Sequence, residues 1–265
     1  MGFFQKLFGK DQVPQNSETE PDNNRLIKLI HIYNKTNQSD DYKKVLDELI
    51  TGNSFLLLPS VNDGTFGSDW KTLKKGTTLN LTSVYNVDGL KVLGAFTSES
   101  TLENWAKQGS HYTAMVSKDV ISFCEENQID RVVIDNDTDT FFVLERNREN
   151  IKTVTIEKDT QVQLGTPSRP LNSQIIRKLN DQFKRVSTIK EVYQYGQTRD
   201  GEFSIVLGFK LSIISENSRT AAINSVQSAL KDEAIDQLLD LCIITDEGWY
   251  NTIKGIENSL IYNKS

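Results

Sequence analysis

The apolar residues of the chain recur with two periods, one of three to four residues and one of two, and so predict both helices and strands. Helical spacing predicts helices at 25–35, 40–50, 100–106, 118–127, 173–186, 219–231 and 249–258. Alternating or continuous apolar runs predict strands at 54–59, 78–85, 92–96, 113–116, 132–134, 141–144, 189–197, 202–211, 238–245 and 260–262. This mixture favours an α+β fold: two mixed α/β-sheet domains, with helices packed on mainly antiparallel or mixed sheets.

The stretch Lys91–Trp105, KVLGAFTSESTLENW, predicts a buried strand that turns at once into a short helix. Thr97 and Ser98 make the corner. Ser100 with Glu103 three residues later has the spacing of a capping box, so we expect the helix to begin at Ser100. Its apolar face follows at helical spacing: Leu102, Trp105 and Ala106.

The strongest period of two lies in a predicted hairpin, 189–197 and 202–211, joined by Asp200-Gly201. A two-residue turn would pair Arg199 with Glu202 and fix the register. That register sets these residues opposite one another: Glu191 and Lys210, Tyr193 and Gly208, Tyr195 and Val206. The core face would hold Val192, Phe203, Ile205, Leu207, Phe209 and Leu211.

The other face of this hairpin predicts a candidate binding patch made of Tyr193, Tyr195 and Lys210. We expect it to lie nearer to water, because it holds a cross-strand charge pair. Tyrosines on a rigid sheet offer contact area at little cost in conformational entropy. Two structural alternatives stay open: Tyr193 covers Gly208 only, or the other domain buries this face.

Composition and sequence breaks predict a tail and two domains. The polar, acidic run at 11–24 predicts that residues 1–24 are a flexible tail. The break GTPSRP at 165–170 and a change in charge suggest domains at 25–160 and 161–265. Residues 1–150 hold 16 basic and 22 acidic side chains, a net charge of -6, and residues 151–265 hold 14 of each. Limited proteolysis should therefore cut first at 11–24 and next, if the two domains are loosely docked, near 165.

The net charge and the distribution of apolar residues limit the classes of partner. A net charge of -6 argues against non-specific binding to nucleic acid, which needs a basic surface. No apolar run approaches the ~20 residues of a membrane span, and the start of the chain lacks the pattern of a secretory signal. Cys124 and Cys242 stand in apolar surroundings, as expected for buried free thiols in a reducing compartment. We therefore expect a cytoplasmic protein.

The first ten residues, MGFFQKLFGK, combine apolar side chains with two lysines. One interpretation is weak contact with a membrane surface or a partner through Phe3, Phe4, Leu7 and Phe8. The other is a frayed terminus whose apolar side chains touch the domain loosely. Lys6 stands where a myristoylation signal requires serine or threonine.

Catalytic and metal-binding patterns are incomplete. The run 135–139, DNDTD, resembles the start of a calcium loop but has Thr140 and Arg146 where glycine and glutamate are required. His31 and His111 are the two histidines, and neither belongs to a recognisable zinc or nucleophile motif. We expect no metal, no cofactor and no enzymatic activity. The alternative is a sensor of amino acids or nucleotides, or an enzyme, that uses the glycine loop at 62–70 and His111.

The order of these segments resembles the SseB family, named for enhanced serine sensitivity and distinct from the type III secretion translocon protein of the same name. The similarity rests on the strand ending LLLP, on VLGAFTSESTLENW and on DRVVID in the first half. In the second half it rests on LGTPSRPLNSQIIRKL, VYQYGQTRDGEFSIVLGF and LCIITDEGWYNTIKGI. A departure is Asp135-Asn136, where the family leads us to expect an Asn-Pro-like turn. The resemblance implies a bacterial cytoplasmic protein of N- and C-terminal SseB domains, loosely tied to amino-acid sensitivity, and brings no catalytic residues with it. Because the sequence shows no acid–base, metal or phosphate constellation, we expect a non-catalytic protein-interaction or regulatory protein.

Overall fold

The structure is a computed structural model that describes residues 21–61, 79–107, 110–146, 161–199 and 201–264. The described residues form two compact units. Residues 21–86 and 91–146 make up the N-terminal unit, and residues 161–264 make up the C-terminal unit, which also takes in residues 87–90. The predicted division between residues 160 and 161 falls at the end of a stretch outside the described residues and stays a prediction.

The N-terminal unit combines helices with two small sheets. Its helices are α1 (Asn24–Thr36), α2 (Ser39–Thr51), α3 (Glu99–Ala106) and α4 (Ser117–Glu126). Its strands are β1 (Phe55–Pro59), β2 (Val84–Val87), β3 (Leu90–Ala95), β4 (Tyr112–Val116), β5 (Arg131–Ile134) and β6 (Phe142–Glu145). β1 and β4 pair antiparallel, and the other sheet has the order β2-β3-β5-β6, with β3 and β5 parallel.

The main hydrophobic core of this unit lies between α1, α2, α4 and the strands, because these elements contribute the faces that their apolar spacing predicts. Leu26 and Ile30 of α1 are fully buried against the sheet residues Leu93 and Ile134. A ring cluster closes one side: the ring centroid of Tyr42 lies 5.2 Å from that of Phe142 in a stacked arrangement. The predicted strand at 78–85 is wrong over residues 79–83, where Leu81 forms only an isolated bridge to Ser60.

The C-terminal unit is built around one mixed sheet. Its strands are β7 (Val162–Gly165), β8 (Ile189–Arg199), β9 (Glu202–Leu211), β10 (Leu239–Ile243) and β11 (Leu260–Asn263). Its helices are α5 (Ser173–Phe183), α6 (Glu216–Leu230) and α7 (Glu247–Lys254). The strand order is β10-β9-β8-β11, with β7 also paired to β8, and β10 runs parallel to β9. The α+β fold class is thereby confirmed.

The hairpin of β8 and β9 has the predicted register. Arg199 pairs with Glu202, Glu191 with Lys210, Tyr193 with Gly208 and Tyr195 with Val206. The predicted core face is confirmed where α5 covers it, since the ring of Phe183 meets that of Phe209 edge-on at 5.5 Å. Phe203 is a correction: its side chain is 40% exposed, because it lies at the turn end of β9.

Candidate functional site

The corner between β3 and α3 positions the candidate site of the N-terminal unit. Ser98 is the N-cap of α3: its Oγ accepts a hydrogen bond of 3.2 Å from the Thr101 backbone N–H, and Thr101 completes a capping box. The predicted box of Ser100 and Glu103 is therefore wrong. The sequence contains two overlapping capping-box patterns, Ser98-x-x-Thr101 and Ser100-x-x-Glu103. The helix uses the earlier one, which begins directly after the buried residue Thr97.

A buried carboxylate accepts hydrogen bonds from this corner. Asp135, which follows β5, has no exposed surface and adopts a φ of 50°. Its side chain accepts hydrogen bonds from the Thr97 backbone N–H at 2.8 Å, from the Thr97 hydroxyl, and from the Thr140 hydroxyl at 2.7 Å. The acidic run at 135–139 thus has a structural use for its first residue.

Asn23 ties the start of α1 to the same corner. Its side-chain N–H donates to the Thr97 carbonyl at 2.7 Å, and its side-chain oxygen accepts from the Phe55 backbone N–H at 2.9 Å. The residue is buried, so both bonds are shielded from water. Asn23, Thr97 and Asp135 therefore connect the starts of α1 and β1 with the ends of β3 and β5, and make the corner rigid.

On the outer side of the corner lies a group of half-buried aromatic rings, here called the aromatic patch: Phe55, Trp105 and Tyr112. They pack on a buried floor of Leu57, Phe96 and Leu102. The ring centroids of Phe96 and Trp105 are 5.2 Å apart. The patch belongs to the N-terminal unit alone and presents aromatic surface on paired strands and a capped helix.

Tyr112 joins the patch to a negative charge. Its hydroxyl donates a hydrogen bond to the Glu99 carboxylate, and this bond is the main reason why the pKa of Tyr112 is raised to about 12. The phenol is therefore neutral throughout the physiological range. Glu99 and Glu103 are both exposed on α3, so the rim of the patch is acidic.

The predicted patch of Tyr193, Tyr195 and Lys210 does not lie at the surface. Only 2% of Tyr193 and none of Tyr195 is exposed, because α7 covers this face of the sheet. The expectation that this face lies nearer to water is wrong. The correct register does not reveal the error, since it assigns side chains to faces but says nothing about what covers each face.

At α7, Tyr193 and Lys210 belong to a partly buried polar cluster. Tyr193 and Tyr250 both donate hydrogen bonds to one Glu191 carboxylate oxygen, at 2.8 and 2.7 Å. Burial is the main cause of a strongly raised pKa at Tyr193. Lys210 Nζ lies 2.6 Å from the Glu247 carboxylate and 4.4 Å from the Tyr250 ring centroid. Lys210 thus pairs with α7 as well as lying opposite Glu191.

The remaining chemical candidates do not assemble. Burial raises the pKa of Cys242 and raises that of Cys124 to about 12, which keeps both thiols protonated. In the part of the chain that the structure describes, no group of three or more His, Cys, Asp or Glu side chains could hold a metal ion. His111 is exposed, and the glycine loop at 62–70 lies outside the described residues.

The comparisons with known proteins bear on the same stretch. Residues 28–148 match the family model described as the SseB protein N-terminal domain. This stretch of the chain is similar to an SseB N-terminal domain. The predicted resemblance is confirmed over this stretch, which contains the corner, Asp135 and all three rings of the aromatic patch. For the second half of the chain the resemblance stays a prediction.

No curated protein and no solved structure matches the chain. Across the described ranges, no helix is both long and apolar enough to cross a bilayer.

Proposed function

We propose that this SseB-like protein is a non-catalytic, cytoplasmic interaction protein that binds another protein through the aromatic patch. The observation that carries the proposal is the packing of Phe55, Trp105 and Tyr112, each half-buried, around one rigid corner. Tryptophan and tyrosine are enriched among the residues that dominate binding energy, and they act best where their surroundings are already ordered.

The chemistry of the patch indicates what the partner presents. An apolar side chain would fill the space between the rings, because these rings offer mainly carbon surface. Basic residues would flank it, because Glu99 and Glu103 are exposed on the neighbouring helix and residues 1–150 carry a net charge of -6. Such a rim charge speeds association and makes it sensitive to salt.

The test compares Trp105→Ala with Tyr85→Ala as bait in affinity capture from lysate, followed by titration of the captured partner. Tyr85 is a matched control because it is an aromatic side chain of the same unit, 46% exposed and outside the patch. We expect Trp105→Ala to weaken binding at least tenfold, the size of effect for truncating a ring at an interface centre. Tyr85→Ala should bind like the parent chain.

Equal binding by both variants, with the thermal midpoint of Trp105→Ala showing that it is folded, would exclude the patch. The competing function, a sensor or an enzyme that uses residues 62–70 and His111, has its own test. Thermal denaturation is measured with amino acids and nucleotides. A rise in midpoint that depends on the concentration of one such ligand would contradict the interaction proposal, because a ligand of the native state stabilises it.

A further inference from the structure

β10 is an edge strand of the C-terminal sheet. Within the described part of the chain, its backbone pairs with β9 on one side only. Ile205 N–H donates to the Leu238 carbonyl, and Ile244 N–H donates to the Phe209 carbonyl, both at 2.9 Å. In a parallel ladder such bonds alternate along the strand. The even-numbered residues of β10 therefore face β9, and Leu239, Leu241 and Ile243 direct their N–H and C=O groups away from it.

This edge lacks most of the features that usually prevent pairing, and Asp240 is its one charged residue. Among the described residues, no further strand pairs with β10 beyond β9. The strand, LDLCI, contains no lysine and no proline, and its register with β9 shows no bulge. Natural edge strands are commonly blocked by such features, because an open edge recruits another strand. Leu238, immediately before the strand, is 60% exposed.

We propose that β10 pairs antiparallel with β10 of a second copy of this chain, about a two-fold axis at Leu241. In this register Leu241 lies opposite its own copy and Leu239 opposite Ile243, so all the outward N–H and C=O groups form hydrogen bonds. Asp240, the one charged residue of the strand, lies opposite Cys242. The inference is independent of the proposed function, because it uses the other unit.

The neighbouring register, with the two-fold axis at Asp240, is worse for a physical reason. An axis at Asp240 would place the two Asp240 carboxylates directly opposite each other, and like charges in that position are destabilising. It would also leave the backbone of Ile243 without a partner. Self-pairing about Leu241 avoids both costs, which is why a second copy suits this edge.

The dimer should be reversible. A strand of five residues buries less than the roughly 1,600 Å² of a standard protein interface. We therefore expect sedimentation equilibrium of the full chain to show a monomer–dimer equilibrium that shifts with protein concentration. A chain that stays monomeric at every concentration would overturn the proposal.

Leu241→Pro tests the edge without touching the ladder inside the subunit. Proline removes the N–H of residue 241, which points outward and is not used by β9. We expect at least a tenfold weaker dimer with a native circular dichroism spectrum. Leu241→Val, which keeps the N–H, is the control and should dimerise like the parent. If both variants dimerise equally well, the contact lies elsewhere.

Asp240→Cys tests the register. Opposite residues in a non-hydrogen-bonded pair have Cα atoms about 4.5 Å apart, which suits a disulfide. With a mild oxidant we expect a covalent dimer linking position 240 to Cys242 of the second copy. Asp240→Cys combined with Cys242→Ser should lose it. A covalent dimer that persists in the combined variant would show an axis at 240.

The edge could also pair with a different protein. In that case the parent chain would be monomeric by itself but would capture another protein, and Leu241→Pro would lose that protein. Either result, a different partner or an axis at 240, overturns self-pairing about Leu241.

Discussion

At the scale of single residues, the face of the C-terminal sheet beneath α7 shows why alternation alone misleads. Tyr195 fills the space above Gly208: a Cβ at that glycine would lie 3.1 Å from Tyr195 Cε1 and 3.2 Å from Ile244 Cδ1. A large side chain that packs over a glycine is typical of a filled layer, whereas the sequence pattern leads us to expect this face of the hairpin to lie nearer to water. The tyrosines therefore belong to the core.

Replacing the tyrosines should cost stability. We expect Tyr195→Ala and Tyr193→Ala to lower the free energy of unfolding by about 3–5 kcal/mol each, the usual cost of removing a buried aromatic ring. Tyr193→Phe keeps the ring and should cost about 1 kcal/mol, since it removes one hydrogen bond to Glu191. Urea denaturation measures both. A loss below about 1 kcal/mol for the alanine variants would contradict their burial.

The raised pKa of the buried Cys124 thiol predicts how stability depends on pH. Its pKa is raised by burial from 9.0 to about 12, so the native state holds the proton more tightly than the unfolded state. The associated stability is fully present below pH 9 and is lost as the pH rises towards 12.

The thiolate is the reactive form. We expect very slow labelling of Cys124 by iodoacetamide at about pH 8, and fast labelling in denaturant. Fast labelling of the native chain would show that the site opens.

At the scale of elements, the caps decide where α3 begins. Ser98→Ala should lower the free energy of unfolding by about 1 kcal/mol, because it removes the acceptor for the Thr101 N–H. Ser100→Ala is the matched control, because it removes only the exposed contact of 2.9 Å between the Ser98 and Ser100 hydroxyls and leaves the Thr101 N–H bonded. It should change stability by less than ~0.5 kcal/mol. Thermal denaturation of both variants checks this. A larger loss for Ser100→Ala would favour the cap predicted from the sequence.

The bond between β5 and the corner depends on a carboxylate. Asp135→Ala leaves the Thr97 N–H buried without its acceptor, so we expect a loss of about 2 kcal/mol or more in the free energy of unfolding. Asp135→Asn keeps one acceptor oxygen, and asparagine tolerates the positive φ, so its loss should be smaller. Chemical denaturation ranks the two. Equal stability of the parent chain and Asp135→Ala would show that the hydrogen bonds of Asp135 do not stabilise the corner.

At the scale of the whole molecule, the chain separates into two units with their own cores. Limited proteolysis of the native chain should cut first within 11–24 and leave the β8–β9 hairpin intact. For the second cut, predicted from the sequence near 165, we expect the loop at 166–170 rather than β7, because β7 is paired to β8 within the C-terminal unit. Mass spectrometry of the fragments checks the order. Early cleavage inside 190–212 would contradict the division, because that hairpin forms the centre of the C-terminal sheet.

What the sequence determined by itself is mostly local. Helix and strand positions, the hairpin register and the α+β class follow from apolar spacing and from a two-residue turn, since these depend on neighbours along the chain or directly across a hairpin. The motif at 91–105 is also visible in the sequence, although the pattern predicts its cap two residues too late.

Only the tertiary structure decided which faces are covered. The helix α7 closes over Tyr193 and Tyr195 from about 50 residues further along the chain, and no local pattern encodes that contact. The same is true of Asp135, whose hydrogen bonds to Thr97 span 38 positions, and of the aromatic patch, where Phe55, Trp105 and Tyr112 come from three separate elements. Burial is a property of what packs on top of a residue, and long-range packing supplies it.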